Sequence, residues 1–268
     1  MKDYFASAAS YYAQYRPFYP QPLIQDIVSF FGLTGSDRVI DIGSGTGQLA
    51  IQMADHVGEV MTVEVDADMV AEGKKLCEKH HVTNVRWIQS AAEDLFFSPE
   101  FGRFKAAMFG ASFHWMDQDA LLRFLDSIVE SNGGVAVAGS KSIWLSDEPW
   151  EQVAREITQK YLGVERRAGT GKFKEAAKGN DSFEEILKRS PFSVVDERSY
   201  PMKRQQTLDE VVGRIYSTSF ANPAVLGEKR DAFERDLREA LLQINPNGVF
   251  EKVDPYYLFL AERSVPSL

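Results

Sequence analysis

The sequence predicts an α/β fold, a doubly wound sheet of seven mostly parallel strands with helical cap insertions. The stretch VIDIGSGTGQLA over 39–50 has the pattern of a buried strand, a glycine-rich turn and the start of a helix. Such a turn lies at the carboxyl edge of a parallel sheet, where α/β proteins hold cofactors. Apolar strands alternate with helical segments as far as residue 139, and the 44% hydrophobic content is sufficient for a sizeable core.

The N-terminal region predicts two helices. Tyrosines recur at roughly helical spacing between residues 4 and 15, and Pro17 ends this first helix. We interpret it as a lid over the cofactor in preference to a simple cap. Apolar residues over 22–33 predict the second helix, which Gly32 ends.

The core is predicted from the alternation of strands and helices that follows. The first strand covers 38–42, and the helix after the glycine-rich turn extends to about His56. The next predicted elements are a strand over 59–65, a helix over 69–81, strands over 85–89 and 104–109, a helix over 120–130, a turn at 132–134 and a fifth strand over 135–139.

The pattern changes after residue 140. The predicted elements here are helices over 150–162 and 182–189 with a polar turn over 163–171 between them, a sixth strand over 192–200, helices over 207–220 and 228–242, and a last strand over 256–261, antiparallel beside the sixth. The basic residues of this region are expected on a solvated face: Arg166, Arg167, Lys172, Lys203 and Arg204.

We predict that these elements form a single domain, 1–268, because no linker or low-complexity run divides the chain. Its expected parts are an N-terminal helical lid (1–35), a cofactor-binding core (36–140), a helical cap insertion (141–190), and C-terminal strands and helices that complete the sheet and the substrate pocket (191–268).

The spacing of the glycines indicates the kind of cofactor. A dinucleotide fingerprint would place a third glycine where Gln48 stands, and instead the glycines follow G-x-G-x-G with Asp41 two places before them. This pattern resembles motif I of the class I S-adenosylmethionine-dependent methyltransferases, which have a Rossmann-like fold. The second predicted strand ends in Glu64, an acid placed to accept hydrogen bonds from both ribose hydroxyls. Asp66 is the rival for this role, but the spacing of Glu64 to Met69 matches the family and that of Asp66 does not.

Two later phrases extend the resemblance. Ala-Glu-Asp-Leu over 92–95 is similar to the family segment that passes along the adenine, and Phe-His-Trp over 113–115 resembles the type 11, trans-aconitate-methyltransferase-like subgroup. The N-terminal segment from Tyr12 to Pro20 is similar to the opening of small methyltransferases of this type. The resemblance implies a set of cofactor-binding residues: Tyr12, Arg16, Asp41, Gly43, Ser44, Gly45, Gln48, Glu64, Val65, Met69, Ala91, Ala92, Glu93, Phe109, Gly110 and Ala111.

The carboxyl end of the fourth strand is where cofactor and acceptor meet in this family. His114 follows that strand and is interpreted either as a general base or as a hydrogen-bonded side chain in the wall of the cleft. Trp115, Tyr4 and Tyr15 are expected to line the substrate pocket. We expect no metal, because the histidines are scattered and Cys77 is the only cysteine.

The resemblance implies methyl transfer from S-adenosyl-L-methionine to a small molecule, with S-adenosyl-L-homocysteine as product. The alternatives are a methyltransferase acting on RNA or protein, a nicotinamide oxidoreductase, which Gln48 disfavours, and a catalytically silent cofactor-binding module. The net charge of −9 argues against affinity for a phosphate backbone. No apolar run is long enough to span a membrane, and we expect a cytoplasmic monomer or homodimer without nucleic-acid or membrane partners.

Overall fold

A computed structural model describes residues 7–97, 101–140, 143, 146–164, 166–168, 171–173 and 181–264. The chain forms two compact units. The sheet unit comprises Pro17–Gly139, Lys178–Tyr200 and Tyr256–Leu268, and the helical unit comprises Met1–Arg16, Ser140–Ala177 and Pro201–Pro255. The prediction that these segments act as one domain stays a prediction.

The predicted seven-stranded sheet is confirmed. The strands are β1 Arg38–Ile42, β2 Glu59–Glu64, β3 Val85–Gln89, β4 Phe104–Gly110, β5 Val129–Ser140, β8 Val194–Thr207 and β9 Val249–Glu262. They lie in the order β3-β2-β1-β4-β5-β9-β8, and the four pairings from β3 to β5 are parallel. Since β1 pairs with both β2 and β4, the order reverses at β1, and the carboxyl end of β1 lies at the switch point where such sheets hold ligands.

Apolar residues on both faces of the central strands explain why this sheet is buried. Ile40 and Ile42 join the core on one face, whereas Val39 joins the core on the other, as the alternation of a strand requires. All three side chains are fully buried. The helices of this unit are α2 Gln21–Phe31, α3 Gln48–Met53, α4 Ala67–Lys79, α5 Gln118–Ile128 and α7 Phe183–Lys188.

The helical unit has its own apolar core. Trp150, Tyr216, Phe233 and Phe250 are buried together there. Its helices are α1 Ala9–Tyr15, α6 Pro149–Leu162, α8 Leu208–Tyr216, α9 Pro223–Leu226 and α10 Arg230–Ile244. Thr207 and Glu210 form a capping box at the start of α8, which fixes where that helix begins.

Several predicted elements differ from the structure. The segment 163–171, predicted as a polar turn, contains strand β6 (Arg166–Ala168), which pairs antiparallel with β7 (Gly171–Phe173). The predicted turn at 132–134 lies within β5. Strands β8 and β9 are each 14 residues long. β8 continues past its predicted end at residue 200, and β9 begins before its predicted start at residue 256. Both extensions lie in the helical unit, where long-range pairing rather than local apolar pattern sustains a strand.

The prediction of a solvated face is wrong for Arg204. Its guanidinium is 3.6 Å from Asp254, which is fully buried and also lies 3.3 Å from Arg214 and 2.7 Å from Lys252. Lys252 in turn is 2.6 Å from the buried Glu151. Burial opposes ionisation of Asp254, but Arg214 and Lys252 outweigh it and hold the pKa of this carboxyl below its usual value.

Among the described residues, no helix has the length and apolar character needed to cross a membrane.

Candidate cofactor site

The glycine-rich turn after β1 adopts a conformation that favours glycine. Gly43, Gly45 and Gly47 have φ angles of 69°, 56° and 81°, in the left-handed region. The N–H groups of Gly43 and Ser44 donate to the carbonyl of Val63 over 2.8 and 3.2 Å, which ties the turn to the end of β2. A side chain at Gly43 would also meet the Cβ of Ser112 at 2.6 Å. The turn is therefore restricted by both backbone conformation and space.

Asp41 and Ser44 present buried polar atoms to this region. Within the described part of the chain, both carboxylate oxygens of Asp41 and the Ser44 hydroxyl are buried without a hydrogen-bond partner. Burial, and then repulsion from the Glu64 carboxylate, raises the pKa of Asp41 to about 7, and the backbone N–H of Ala50 acts in the opposite direction. Buried acceptors left unsatisfied in this way are costly, and they fit a ligand that carries a cationic donor.

Glu64 lies against the same turn. Its carboxylate accepts a hydrogen bond from the N–H of Gly45 over 2.8 Å and another from the N–H of Asp66 over 2.9 Å. Burial raises the pKa of Glu64, and these two N–H groups act in the opposite direction. The rival Asp66 caps α4, because its Oδ1 accepts from the N–H groups of Asp68 and Met69. Glu64 and not Asp66 thus contacts the glycine-rich turn.

The ends of β3 and β4 complete this edge of the sheet. The N–H of Ser90 donates to the carbonyl of Glu64 over 3.0 Å, so the segment that carries Ala91, Ala92 and Glu93 begins beside the end of β2. Ala92 is buried and Glu93 is exposed. Of the other predicted cofactor residues, Gln48, Met69 and Phe109 are buried, whereas Val65 is 46% exposed.

The turn after β4 contacts the turn after β1. The Ser112 hydroxyl donates to the carbonyl of Ile42 over 2.5 Å, and Ala111 has a left-handed φ of 57° while its N–H donates to Ala138 over 2.8 Å. Phe113–Trp115 forms one 3₁₀ turn. Its Phe113 is buried, whereas His114 is exposed, with its ring centroid 5.3 Å from that of Trp115.

Three of the predicted residues that the structure describes belong to the helical unit. The Nε of Arg16 donates to the Ser217 hydroxyl over 2.8 Å, and its guanidinium is 4.9 Å from the ring centroid of Tyr12. The ring of Tyr15 packs directly against Gly213. Tyr4 lies outside the described residues. The predicted roles of these side chains toward cofactor or substrate stay predictions.

Sequence reasoning missed Tyr19. Its hydroxyl is 2.9 Å from the position that a Cβ of Gly110 would occupy, at the end of β4. Its backbone is held by Gln52, whose side chain accepts from the Tyr19 N–H and donates to the Tyr19 carbonyl, each over 2.8 Å. The signal for it in the sequence is the phrase Arg-Pro-x-Tyr-Pro, in which Tyr19 is the tyrosine.

Comparisons with known proteins agree with this geometry. A family model described as a methyltransferase domain matches residues 39–133. An uncharacterized RNA methyltransferase of Lactiplantibacillus plantarum is 32% identical over 89 residues, 33% of this chain and 20% of that protein. The ubiquinone/menaquinone biosynthesis C-methyltransferase of Pectobacterium atrosepticum is 29% identical over 110 residues, 40% of this chain and 43% of that protein. The matched part therefore spans less than half the length of either relative.

A solved methyltransferase structure has a fold similar to that of this chain. The crystal structure of an S-adenosylmethionine-dependent methyltransferase from Thiobacillus denitrificans, in complex with S-adenosyl-L-homocysteine, superposes with a TM-score of 0.51 at 14% identity. The superposition covers 98% of this chain and 99% of that one. The family match includes the whole glycine-rich turn, Asp41 and Glu64. Residues 39–133 of this chain are therefore similar to a methyltransferase domain, and the fold is similar to that of an S-adenosylmethionine-dependent methyltransferase.

Proposed function

We propose that the protein transfers a methyl group from S-adenosyl-L-methionine to a small-molecule acceptor and releases S-adenosyl-L-homocysteine. The observation that carries this proposal is the buried, unpartnered carboxylate of Asp41 beside a turn of left-handed glycines. An acid in that state fits the ammonium of the cofactor's amino-acid tail, either directly or through water.

The other residues of the turn have complementary roles. Glu64 is the proposed acceptor for the ribose hydroxyls, and Ser44 supplies a further buried hydroxyl that lacks a partner in the described structure. The sulfonium of the cofactor supplies an already activated methyl group. The protein's contribution is then to align the acceptor and to exclude water, since displacement at an activated carbon needs orientation more than acid–base help.

A small-molecule acceptor is favoured over RNA by charge. A net charge of −9 gives no general attraction to phosphates. The RNA methyltransferase relative matches only 33% of this chain. The trans-aconitate-type subgroup, the cytoplasmic location and a monomeric or homodimeric state belong to the same proposal.

The experiment that tests this function follows a labelled methyl group from S-adenosyl-L-methionine into a fractionated cell extract. We expect protein-dependent label in the low-mass fraction. Label in RNA or in protein would contradict the proposed small-molecule acceptor, and label in RNA would favour an acceptor like that of the RNA methyltransferase relatives. Binding of S-adenosyl-L-homocysteine without any labelled product would favour a silent binding module.

Replacement of Glu64 by Gln should weaken binding of S-adenosyl-L-homocysteine by about 1–3 kcal/mol, the range for hydrogen bonds to a charged group. The neutral amide keeps the shape but loses the charge that strengthens these bonds. Calorimetry at constant pH measures the change. Asp66→Asn is the matched control, because asparagine is an equally good helix cap and affinity should be preserved. Equal losses in both variants would contradict the assignment of the ribose to Glu64.

Replacement of His114 by Ala distinguishes its two interpretations. If the exposed imidazole accepts a proton from the acceptor, turnover should fall about 10²–10⁴-fold with little change in cofactor affinity. The assay is labelled-methyl transfer into the low-mass fraction, with calorimetry on S-adenosyl-L-homocysteine in parallel. Turnover close to that of the unmodified protein would mean that His114 only forms part of the cleft wall.

A further inference from the structure

Tyr257 presents a hydroxyl at the carboxyl edge of the sheet. Its phenol ring lies directly against Gly139 in β5, in the space that a side chain at this position would fill. β4 pairs with β5 through Gly110 and Ala138, and the N–H of the next residue, Ala111, donates to the Ala138 carbonyl over 2.8 Å. Gly139 is the residue after Ala138 in β5. The hydroxyl is therefore beside the point where β4 and β5 end.

The ring of Tyr257 lies beside other aromatic side chains. The ring centroid of Tyr257 is 6.1 Å from that of Phe183 and 5.8 Å from that of Phe259. Phe183 packs in turn on Phe113, 5.4 Å away, in the turn that carries His114. A continuous set of rings thus connects Tyr257 with the turn after β4.

No hydrogen bond to the Tyr257 hydroxyl occurs within the described residues, and burial is the only influence on its ionisation. Burial raises the pKa of Tyr257 to about 12, so the phenol keeps its proton at neutral pH and is available as a donor. Tyr200 in the same unit is different, because its hydroxyl donates to Asp26.

The hydroxyl is accessible at this edge of the sheet. Tyr257 is only partly buried, and its hydroxyl is not among the fully buried polar atoms that lack a hydrogen-bond partner in the described residues. Gly139 in addition keeps space open for the hydroxyl, since any side chain there would collide with it. A hydroxyl in this position can donate a hydrogen bond to a molecule bound at the edge of the sheet where this fold holds its ligands.

We propose that Tyr257 is a specificity-determining residue, whose hydroxyl donates a hydrogen bond to an oxygen of the methyl acceptor beside the ends of β4 and β5. This inference rests on the proposed small-molecule methyltransferase activity. The aromatic surroundings, Phe113, Phe183 and Phe259, contain no charged group, so the part of the acceptor in contact with Tyr257 is apolar and uncharged apart from that oxygen. A phosphate or an ammonium at this position would lack a counter-charge.

The test compares Tyr257→Phe with Tyr200→Phe, a matched loss of one phenol hydroxyl in the same unit. The probe is the low-mass extract fraction that accepts labelled methyl, used in a dilution series. We expect Tyr257→Phe to need about 3- to 10-fold more of this fraction for half-maximal labelling, the range for one neutral hydrogen bond. Its affinity for S-adenosyl-L-homocysteine should be unchanged, and its melting temperature should not fall. Tyr200→Phe should have a lower melting temperature than the unmodified protein. It should need the same amount of the extract fraction for half-maximal labelling.

The outcomes separate the inference from the function on which it rests. Labelling by the unmodified protein together with an unchanged half-maximal dilution for Tyr257→Phe overturns the role of Tyr257 and leaves the activity in place. A lower melting temperature or weaker cofactor binding in Tyr257→Phe also overturns it, since the hydroxyl would then have a structural role. A lack of label with the unmodified protein overturns both.

Discussion

As pH rises from 4 to 8, the unfolding free energy of the ligand-free protein should fall by up to about 4 kcal/mol because of Asp41. In an Asp41→Asn variant this fall should be absent. The pKa of Asp41 is raised from 3.8 to about 7 in the folded state. In this window the folded protein holds a proton that the unfolded chain has released. The stabilisation is thus complete below about pH 4 and lost as pH rises through 7; three pKa units at about 1.4 kcal/mol each give the magnitude.

Denaturant unfolding at intervals of one pH unit measures this difference. Asp236→Asn is a control of opposite sign, because the hydrogen bond from Lys160 lowers the pKa of Asp236 to about 2. The stabilisation by the ionised Asp236 is complete above pH 4 and is lost as pH falls through 2. Its removal should therefore leave the change in unfolding free energy between pH 4 and pH 8 as it is in the unmodified protein. Parallel curves for the unmodified protein and Asp41→Asn would mean that Asp41 is not held in the buried state described above.

This instability is expected at a binding site. A buried carboxylate without a partner is unfavourable for folding, whereas a cationic ligand group would favour its ionised form. Binding of S-adenosyl-L-methionine should therefore become stronger as pH rises toward 7 and then level off. In Asp41→Asn this part of the pH dependence should disappear.

Replacement of Gly43 by Ala should destabilise the protein by about 2–5 kcal/mol. Part of the loss is the left-handed φ of 69°, which costs a residue with a Cβ about 1–2 kcal/mol. The rest comes from the collision of the new methyl group with Ser112, 2.6 Å away, and Met116, 2.9 Å away. Because Ser112 begins the turn after β4, binding of S-adenosyl-L-homocysteine should weaken as well.

Gly32→Ala is the matched control for the backbone contribution. Gly32 has a similar φ of 59° at the end of α2, but nothing lies within 4 Å of the position of its Cβ. It should cost only about 1–2 kcal/mol in denaturant unfolding and leave ligand binding unchanged. If Gly43→Ala were no more destabilising than Gly32→Ala, the turns after β1 and β4 would not be packed as closely as described.

The sequence by itself was sufficient for the features that depend on local pattern. The run of apolar residues before Gly43 determined β1, and the predicted third strand, 85–89, agrees with β3 at both ends. The preference for Glu64 over Asp66 came from the resemblance of its spacing to Met69 to that of the family, and the structure adds that Asp66 caps a helix while Glu64 contacts the glycine-rich turn. The carboxyl ends of parallel strands lie at one edge of the sheet. Residues that follow different strands in the sequence can therefore be predicted to lie close together.

Only the tertiary structure decided features that depend on partners distant in sequence. Arg204 belongs by composition to a solvated face, yet it lies beside buried Asp254, fifty residues later in the chain. Tyr19 reaches Gly110 and Tyr257 reaches Gly139 across separations of about ninety and one hundred and twenty residues. No local periodicity records such contacts, because a side chain's burial, its charge partners and the space left by a glycine are properties of the packed chain and not of its neighbours in sequence.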